Sequence, residues 1–233
     1  MKPYVILGFP YTHESAGIRA LHRLVHELNA RGLEAFTTAP GNPEWDEPLW
    51  DGRPGITIYP EVIVGNPLGQ RDVVRWALNT PGHLNPDASV GPDEYLWTWS
   101  LRYCNAPLLT VDVTDHDLFH DRDLKDTDTI YFGKGANRGV TELDETRHLT
   151  HIERYPNWPE THAETAALLR RTKTLYTYDD CTMIIDEALS CGCRVVLLPE
   201  GVELGWSDTN NATPEQHAER IVHFIEATQE RFG

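Results

Sequence analysis

The stretch that decides the fold is LYTYDDCTMIIDEALSCGCRVVLLPEG, residues 175–201. An apolar run leads into two carboxylates, Asp179 and Asp180, and then into a polar turn. Helical spacing of apolar residues follows, with Glu187 inside the helix and Gly192 at its end, before a second apolar run. The order strand, turn, helix, strand predicts one repeating unit of a parallel α/β sheet.

The start of this predicted helix has groups that can bind a phosphate. The first N–H groups of a helix lack intrahelical partners, so the backbone of Thr182 and Met183 and the Thr182 hydroxyl are free to face a ligand. Glu187 lies one and a half turns further on, where its carboxylate can accept hydrogen bonds from the two hydroxyls of a ribose. Two structural alternatives stay open: Asp179 and Asp180 also suit helix N-capping, and Glu187 also suits a solvated helix face.

This stretch resembles the C-terminal half-site of GT-B-fold glycosyltransferases, in particular the family 4-like retaining enzymes (glycosyl transferases group 1). Their motif is an acidic residue, seven residues, then glutamate, followed by a run of the form EAxxxGxPVV. Asp179 and Glu187 take the two acidic positions, and EALSCGCRVV stands for the run. The chain departs from the motif at Asp179, which is one methylene shorter than the usual glutamate, and at Arg194, which replaces proline. A generic helix–strand unit of an α/β protein is the alternative.

A second string, YPEVIVGNPLGQRDVVRWALNTPG at residues 59–82, also resembles these enzymes. It is similar to the pattern YPE…GNPL…VRWxLNxPG in the N-terminal domain of a subgroup. The two strings occur in the order and at a separation that the family has. Within this string the spacing predicts a helix, with an apolar face of Val73, Val74, Ala77 and Leu78.

The resemblance implies an α/β fold of two Rossmann-like domains with parallel sheets, of GT-B type and reduced in size. Alternation of strand-like and helix-like segments predicts the α/β class independently. We expect an N-terminal acceptor-side domain at residues 1–125 and a C-terminal nucleotide-sugar-binding domain at 126–212. A C-terminal helix should follow at 213–233. The first boundary is placed near the charged segment DRDLKDTD, residues 121–128.

The remaining elements follow from apolar spacing and capping residues. Strands are predicted at 4–8, 33–37, 55–64, 108–113 and 129–132, and helices around 18–28 and 163–169. In the last helix Thr213 caps, Pro214 takes the first position and Gln216 completes a capping box. The predicted apolar face of that helix consists of Ala218, Ile221, Val222 and Ile225.

A leaving diphosphate needs positive charge, and two basic residues after the strand at 129–132 can supply it. Lys134 lies in a Gly-Lys-Gly turn that begins at Gly133, so both the backbone and the ammonium can approach a phosphate. Arg138 follows four residues later. The resemblance implies that these two positions correspond to the basic pair of the family. An ordinary turn lysine is the alternative for Lys134.

Other candidates follow strands of the predicted N-terminal domain. Ligands of α/β sheets bind beyond the carboxyl ends of strands, which nominates His13 and Gly17 for contact on the acceptor side. Asp115 and His116 follow the strand predicted at 108–113. His116 would orient the donor sugar or, in an inverting enzyme, act as a base. A surface loop histidine is the alternative.

Composition limits the remaining possibilities. The net charge of −16 disfavours adhesion to nucleic acid or to an anionic membrane. No apolar run approaches the roughly 18 residues that span a bilayer, and the N-terminus is typical of a strand rather than a signal peptide, so we expect a cytoplasmic protein. The four cysteines and eleven histidines form no zinc or HExxH pattern. We expect buried, reduced thiols, no bound metal and no cofactor.

The sequence therefore predicts a glycosyltransferase that moves a hexose from a nucleoside diphosphate-sugar to an acceptor hydroxyl. Retention of configuration, independence of metal and a UDP-sugar donor are implied by the resemblance. The acceptor is not readable, and a modified DNA base is one option. One alternative is a non-catalytic nucleotide-sugar-binding or assembly subunit. Another is a different α/β enzyme, such as a phosphatase-like or nucleotide-dependent ligase fold. The small size leaves room for a homo-oligomer or a partner subunit.

Overall fold

The computed structural model describes residues 1–133, 140–154, 157–180, 182–206 and 212–233. The chain divides into two compact units. The first unit consists of Met1–Val113 together with Ala212–Gly233, and the second of Thr114–Asn211. The first unit thus ends earlier than the boundary expected at residue 125, and it includes the C-terminal helix. The functions expected for the two domains stay predictions.

The first unit is built on a five-stranded sheet in which every pairing is parallel. The strands are β1 (Tyr4–Ile6), β2 (Ala35–Thr37), β3 (Ile56–Pro60), β4 (Asp72–Ala77) and β5 (Tyr95–Thr98). Their order across the sheet is β2-β1-β3-β4-β5. Continuous burial of β1 to β3 is the pattern expected of parallel strands covered on both faces.

Helix α1 (Ala16–Ala30) follows β1 and confirms the predicted βαβ opening. Ser15 caps it, with the hydroxyl accepting a hydrogen bond from the Ile18 N–H at 3.4 Å. Leu21, Val25 and Leu28 are buried at the helical spacing read from the sequence. The face with period 3.6 is therefore the face that packs on the sheet.

Helix α4 (Pro214–Phe232) begins as predicted, with a complete capping box between Thr213 and Gln216. Its predicted apolar face is wrong at one position, because Val222 is 46 % exposed. The buried positions are His217, Ile221, Phe224 and Thr228. Contacts to the sheet determine this rotation. The Thr228 hydroxyl lies 2.8 Å from the Tyr4 hydroxyl, and the Phe224 ring is edge-on to Trp97 with centroids 5.1 Å apart.

The helix predicted within residues 59–82 is wrong, since Val73, Val74 and Ala77 belong to strand β4. A fully buried strand is apolar without interruption, and over six residues such a run also satisfies helical spacing. Leu78 comes directly after the strand. The string comprises the end of β3, an irregular loop, the adjacent parallel strand β4 and the residues that follow it.

The strand predicted at 108–113 is also wrong. Among the described residues, this segment has one isolated bridge, between Leu108 and Thr98 at the edge of β5. Leu109, Val111 and Val113 are nevertheless buried. The segment is therefore buried like a strand, with Thr110 buried as well, but it leaves the edge of the sheet after one residue pair.

The second unit contains a six-stranded sheet with a parallel centre and an antiparallel strand at each edge. Its strands are β6 (Thr127–Tyr131), β7 (Thr150–Arg154), β8 (Asn157–Trp158), β9 (Thr172–Thr177), β10 (Arg194–Leu197) and β11 (Val202–Leu204). Its helices are α2 (His162–Arg171) and α3 (Met183–Ser190), and its strand order is β11-β10-β9-β6-β7-β8.

The core of the second unit joins α2 and α3 to the sheet through Leu169, Ile185, Leu175 and Val195, all buried. Both units are mixed α/β with mainly parallel sheets, so the expected Rossmann-like class is confirmed at that level. In the described part of the chain, no helix combines the length and the apolar character needed to cross a membrane.

Candidate functional site

The candidate site lies where the strand order of the second sheet reverses. From β6 the chain moves outward to β7 on one side, and β9 then pairs with the other side of β6 and leads outward to β10. The carboxyl ends of β6 and β9 therefore border a topological switch point. Ligands of open α/β sheets bind outside the strand ends at such a point. Gly133 follows β6 there, and Asp179 follows β9.

Gly133 and Asp179 are in close contact at this edge. Gly133 has φ +52°, and a Cβ added to it would lie 2.8 Å from Asp179 Cβ and 2.5 Å from a ring carbon of Tyr131. Glycine is thus required both by the backbone conformation and by the space. Asp179 is only 1 % exposed, and its N–H donates to the Thr177 hydroxyl at 3.0 Å. The structure therefore brings together two residues that the sequence places 46 positions apart.

The turn after Asp179 leads into helix α3, whose N-cap is Thr182 rather than either aspartate. Within the described residues, the Thr182 side chain makes no capping hydrogen bond to α3. Thr182 and Met183 are both partly exposed. Neither aspartate is the N-cap of the described helix, so the N-capping alternative for Asp179 and Asp180 is excluded there. In the first turn of α3 the Ile185 N–H donates to the Thr182 carbonyl oxygen at 3.3 Å.

Glu187 lies in the middle of α3 and is buried, with 5 % of the residue exposed. Its Oε1 atom is 3.1 Å from Nε2 of His162, the first residue of α2. The alternative of a solvated helix glutamate is therefore excluded. Burying a carboxylate is costly unless it is hydrogen-bonded, and the imidazole supplies one such bond. The geometry fits a carboxylate held in one orientation.

His162 is fixed in turn by Phe119, which is 1 % exposed and has its ring centroid 4.8 Å from the imidazole. The sequence interpretation missed both residues. His162 precedes Glu187 by 25 residues, and no spacing rule connects the two. The one available signal was the Thr161–Glu164 capping box, which marks His162 as the start of a helix.

Asp115 and His116 belong to the second unit. The sequence had placed them in the N-terminal domain, after the strand predicted at 108–113. Asp115 Oδ1 accepts hydrogen bonds from the Asp117 and Leu118 N–H groups at 3.0 and 3.2 Å. This is the self-capping turn that aspartate forms, and it gives Asp115 a structural role. His116 is exposed on the same turn.

The two basic candidates, Lys134 and Arg138, lie outside the described residues. Their predicted role in neutralising a diphosphate stays a prediction.

In the first unit, His13 lies in the loop before α1 and Gly17 in the first turn of α1. A Cβ at Gly17 would meet only Leu78, at an ordinary 3.8 Å. Gly8 is the tighter position, because a Cβ there would lie 2.7 Å from the Thr37 hydroxyl. The close approach of backbone at this sheet edge therefore occurs at Gly8 rather than at Gly17.

A buried ion pair joins His22 of helix α1 to Glu47 in the loop that follows β2. His22 Nδ1 is 2.5 Å from Glu47 Oε2, and His22 Nε2 is 2.7 Å from the Phe9 carbonyl oxygen. Both partners are acceptors, so both ring nitrogens carry protons. Burial opposes this charge, but the bonds to Glu47 and Phe9 outweigh it and raise the pKa of His22.

The residues of the string at 59–82 mostly contact one another. Glu61 accepts a hydrogen bond from the Leu78 N–H at 2.8 Å, and burial raises the pKa of the Glu61 carboxyl. Arg75 is fully buried and forms a two-point ion pair with Glu94 at 2.6 and 2.9 Å. The Tyr59 hydroxyl donates to Asn66 at 2.7 Å. These contacts assign the string a mainly structural role.

The cysteines at the end of α3 are unreactive structural residues. Cys191 and Cys193 are free and buried, as expected from the sequence, whereas Cys104 is free but only partly buried. Burial raises the pKa of Cys191 to about 11 and that of Cys193 to about 12, so neither is a thiolate near neutral pH. Among the residues that the structure describes, no group of three or more His, Cys, Asp and Glu side chains is arranged to hold a metal ion.

Comparison with known proteins identifies no family. No family model matches the chain, and a search of the curated proteins finds no match either. The likeness to glycosyltransferases therefore depends on the residues of the two strings, 59–82 and 175–201.

Proposed function

We propose that this chain is a glycosyltransferase that moves a hexose from a nucleoside diphosphate-sugar to an acceptor hydroxyl, with a UDP-sugar as the expected donor. The observation that supports this most is the buried Glu187, which His162 orients at 3.1 Å on a helix that starts at the switch point. A fixed carboxylate inside such a helix is suited to the paired hydroxyls of a ribose.

The other donor contacts follow from the same helix. The first N–H groups of α3, together with Thr182 and Met183, would bind the distal phosphate, because the positive end of a helix favours anions. Asp179, in contact with Gly133 at the switch point, would bind hydroxyls of the transferred sugar. This arrangement assigns the ribose, the phosphates and the sugar to three neighbouring parts of one sheet edge.

Catalysis in this proposal depends on charge stabilisation of the leaving diphosphate. Lys134 and Arg138 would supply that charge without an essential metal, as the resemblance implies. The resemblance also implies retention of configuration. His116, His13 and Gly17 remain the proposed contacts for the sugar or the acceptor. The contact expected from the sequence at Asp115 is not proposed, because Asp115 Oδ1 closes its own turn. The identity of the acceptor hydroxyl is open.

One observation favours a second candidate, a non-catalytic nucleotide-sugar-binding subunit. Asp179 is 1 % exposed, and it is shorter than the glutamate that the family motif has. A shorter and buried carboxylate reaches less far toward a sugar than a glutamate would. In that case donor binding would persist without transfer.

Turnover of the donor in the presence of EDTA tests the proposal. Release of free sugar from UDP-glucose, GDP-mannose and ADP-glucose reports slow transfer to water when no acceptor is supplied. We expect release from one donor, and a rate at subsaturating donor that falls about tenfold or more in Glu187→Gln, because a hydrogen bond to a charged group is lost.

The matched control is Glu219→Gln, which removes an exposed carboxylate on α4 and should leave the rate unchanged. Equal rates in the wild type and Glu187→Gln would contradict the assignment of Glu187. Donor binding without any release would favour the non-catalytic candidate.

A further inference from the structure

The pair formed by His162 and Glu187 has a further consequence for the donor site. We propose that His162 is a positioning residue that aims the Glu187 carboxylate at the ribose hydroxyls of the donor and thereby sets its preference for ribose over deoxyribose. This inference rests on the proposed function.

The direction of the hydrogen bond follows from the chemistry of the two groups. A carboxylate only accepts hydrogen bonds, so His162 Nε2 carries the proton and donates it to Glu187 Oε1. One such bond uses one of about four acceptor positions on a carboxylate. The bond therefore helps to fix the orientation of Glu187, and a carboxylate can accept hydroxyl donors in addition to such a bond.

The imidazole itself has little freedom. It starts helix α2, which Thr161 and Glu164 tie down through a capping box at 3.2 and 3.0 Å. The Phe119 ring packs against the imidazole with the two ring centroids 4.8 Å apart. Phe119 follows the turn that Asp115 closes. The side chain of His162 is 19 % exposed, so one side of the ring reaches solvent. Three separate parts of the chain thus converge to hold one nitrogen atom beside Glu187.

This amount of support is more than core packing alone requires. If Glu187 only filled space in the core, an apolar side chain would do so with a smaller loss of stability, because a buried charge must be compensated. A supported buried carboxylate is instead the arrangement that binding sites need, because a hydrogen-bond acceptor selects hydroxyls only when it is held within a fraction of an ångström.

The test compares ribose preference among variants. Isothermal titration calorimetry would measure the Kd of uridine, guanosine and adenosine diphosphate, each beside its 2′,3′-dideoxy analogue. We expect the wild type to bind one ribonucleotide about tenfold more tightly than its dideoxy form, as a charged acceptor and two hydroxyls would give. Glu187→Gln should remove most of that preference.

Two substitutions at position 162 separate positioning from packing. His162→Phe keeps a ring against Phe119 but loses the N–H donor, so the ribose preference should fall to about twofold or less. His162→Gln places an amide N–H near the Nε2 position and should keep most of the preference. Binding of the dideoxy nucleotide should change little in either variant.

The outcomes distinguish this inference from the proposed function. If His162→Phe kept the wild-type preference for ribose while Glu187→Gln lost it, the positioning role of His162 would be overturned and the assignment of Glu187 would stand. Equal loss in His162→Phe and His162→Gln would also overturn it, since the N–H would then not matter. No binding of any nucleotide by the wild type would overturn both.

Discussion

At the residue scale, Gly133 is a position at which both the backbone conformation and the neighbouring side chains oppose an added Cβ. Its φ of +52° disfavours any Cβ, and the Cβ would also lie 2.8 Å from Asp179. Gly133→Ala should therefore lower the free energy of unfolding by about 1–3 kcal/mol and displace Asp179. Urea denaturation measures the first effect, and the Kd for nucleoside diphosphates measures the second.

Gly32 provides the matched control, because it has φ +77° and nothing within 4 Å of the added Cβ. Gly32→Ala should cost only the backbone term, about 1–2 kcal/mol, and should leave nucleotide affinity unchanged. If both variants bound nucleotide as the wild type does, the contact between Gly133 and Asp179 would have no part in the site.

The ion pair between His22 and Glu47 makes the stability of the first unit depend on pH. The folded pKa of His22 is raised above its usual 6.5. The stabilisation it gives is therefore complete below about pH 6.5 and is lost as the pH rises through the folded pKa. Relative to the double variant His22→Gln with Glu47→Gln, the wild type should lose about 1.4 kcal/mol for each unit by which that pKa is raised.

Urea denaturation of both proteins at pH 6, 7, 8 and 9 measures how the difference in their free energies of unfolding changes with pH. All other titrating groups are present in both proteins, so their contributions cancel in that difference. His217 is the internal contrast, because burial lowers its pKa and its effect has the opposite direction. A difference between the two proteins that grew with pH would show that the ring is neutral in the folded state.

At the element scale, α4 tests which face of a helix the fold buries. Phe224 is fully buried against Trp97, whereas Val222 is 46 % exposed. Phe224→Ala should cost about 3–5 kcal/mol, because it leaves a cavity in the core. Val222→Ala should change stability by about 0.5 kcal/mol or less. Thermal or urea unfolding of the two variants measures both values. Equal losses of stability would show that Val222 is buried, as the sequence pattern predicted.

Prediction of single elements succeeded where the pattern was long or marked by a cap. Helices α1 and α4 have several turns, so their existence followed from the sequence. The start of α4 was marked by its cap, Thr213, whereas α1 begins at Ala16, two residues before the first apolar position used to predict it. Strand β4 was mistaken for a helix because six buried residues in a row fit both periods. The segment at 108–113 has a strand pattern but no continuing partner, which only the edge of the sheet reveals.

At the scale of the whole molecule, the sequence was sufficient for the α/β class and for the strand, turn and helix in which Asp179, Thr182, Met183 and Glu187 lie. It was not sufficient for His162, which approaches Glu187 only because α2 and α3 pack on the same sheet. Contacts between elements distant in sequence are set by tertiary packing, and a motif of local spacing carries no information about them.

The central claim, that this chain binds a nucleoside diphosphate-sugar, is tested most directly by thermal shift. The wild type would be heated with a panel of nucleoside diphosphates and their sugars, with and without EDTA. A ligand at about one hundred times its Kd adds about 2.7 kcal/mol to the stability of the state that binds it. We predict a higher Tm with one nucleoside diphosphate and its sugar, unchanged by EDTA. A Tm that no member of the panel raises would contradict the claim.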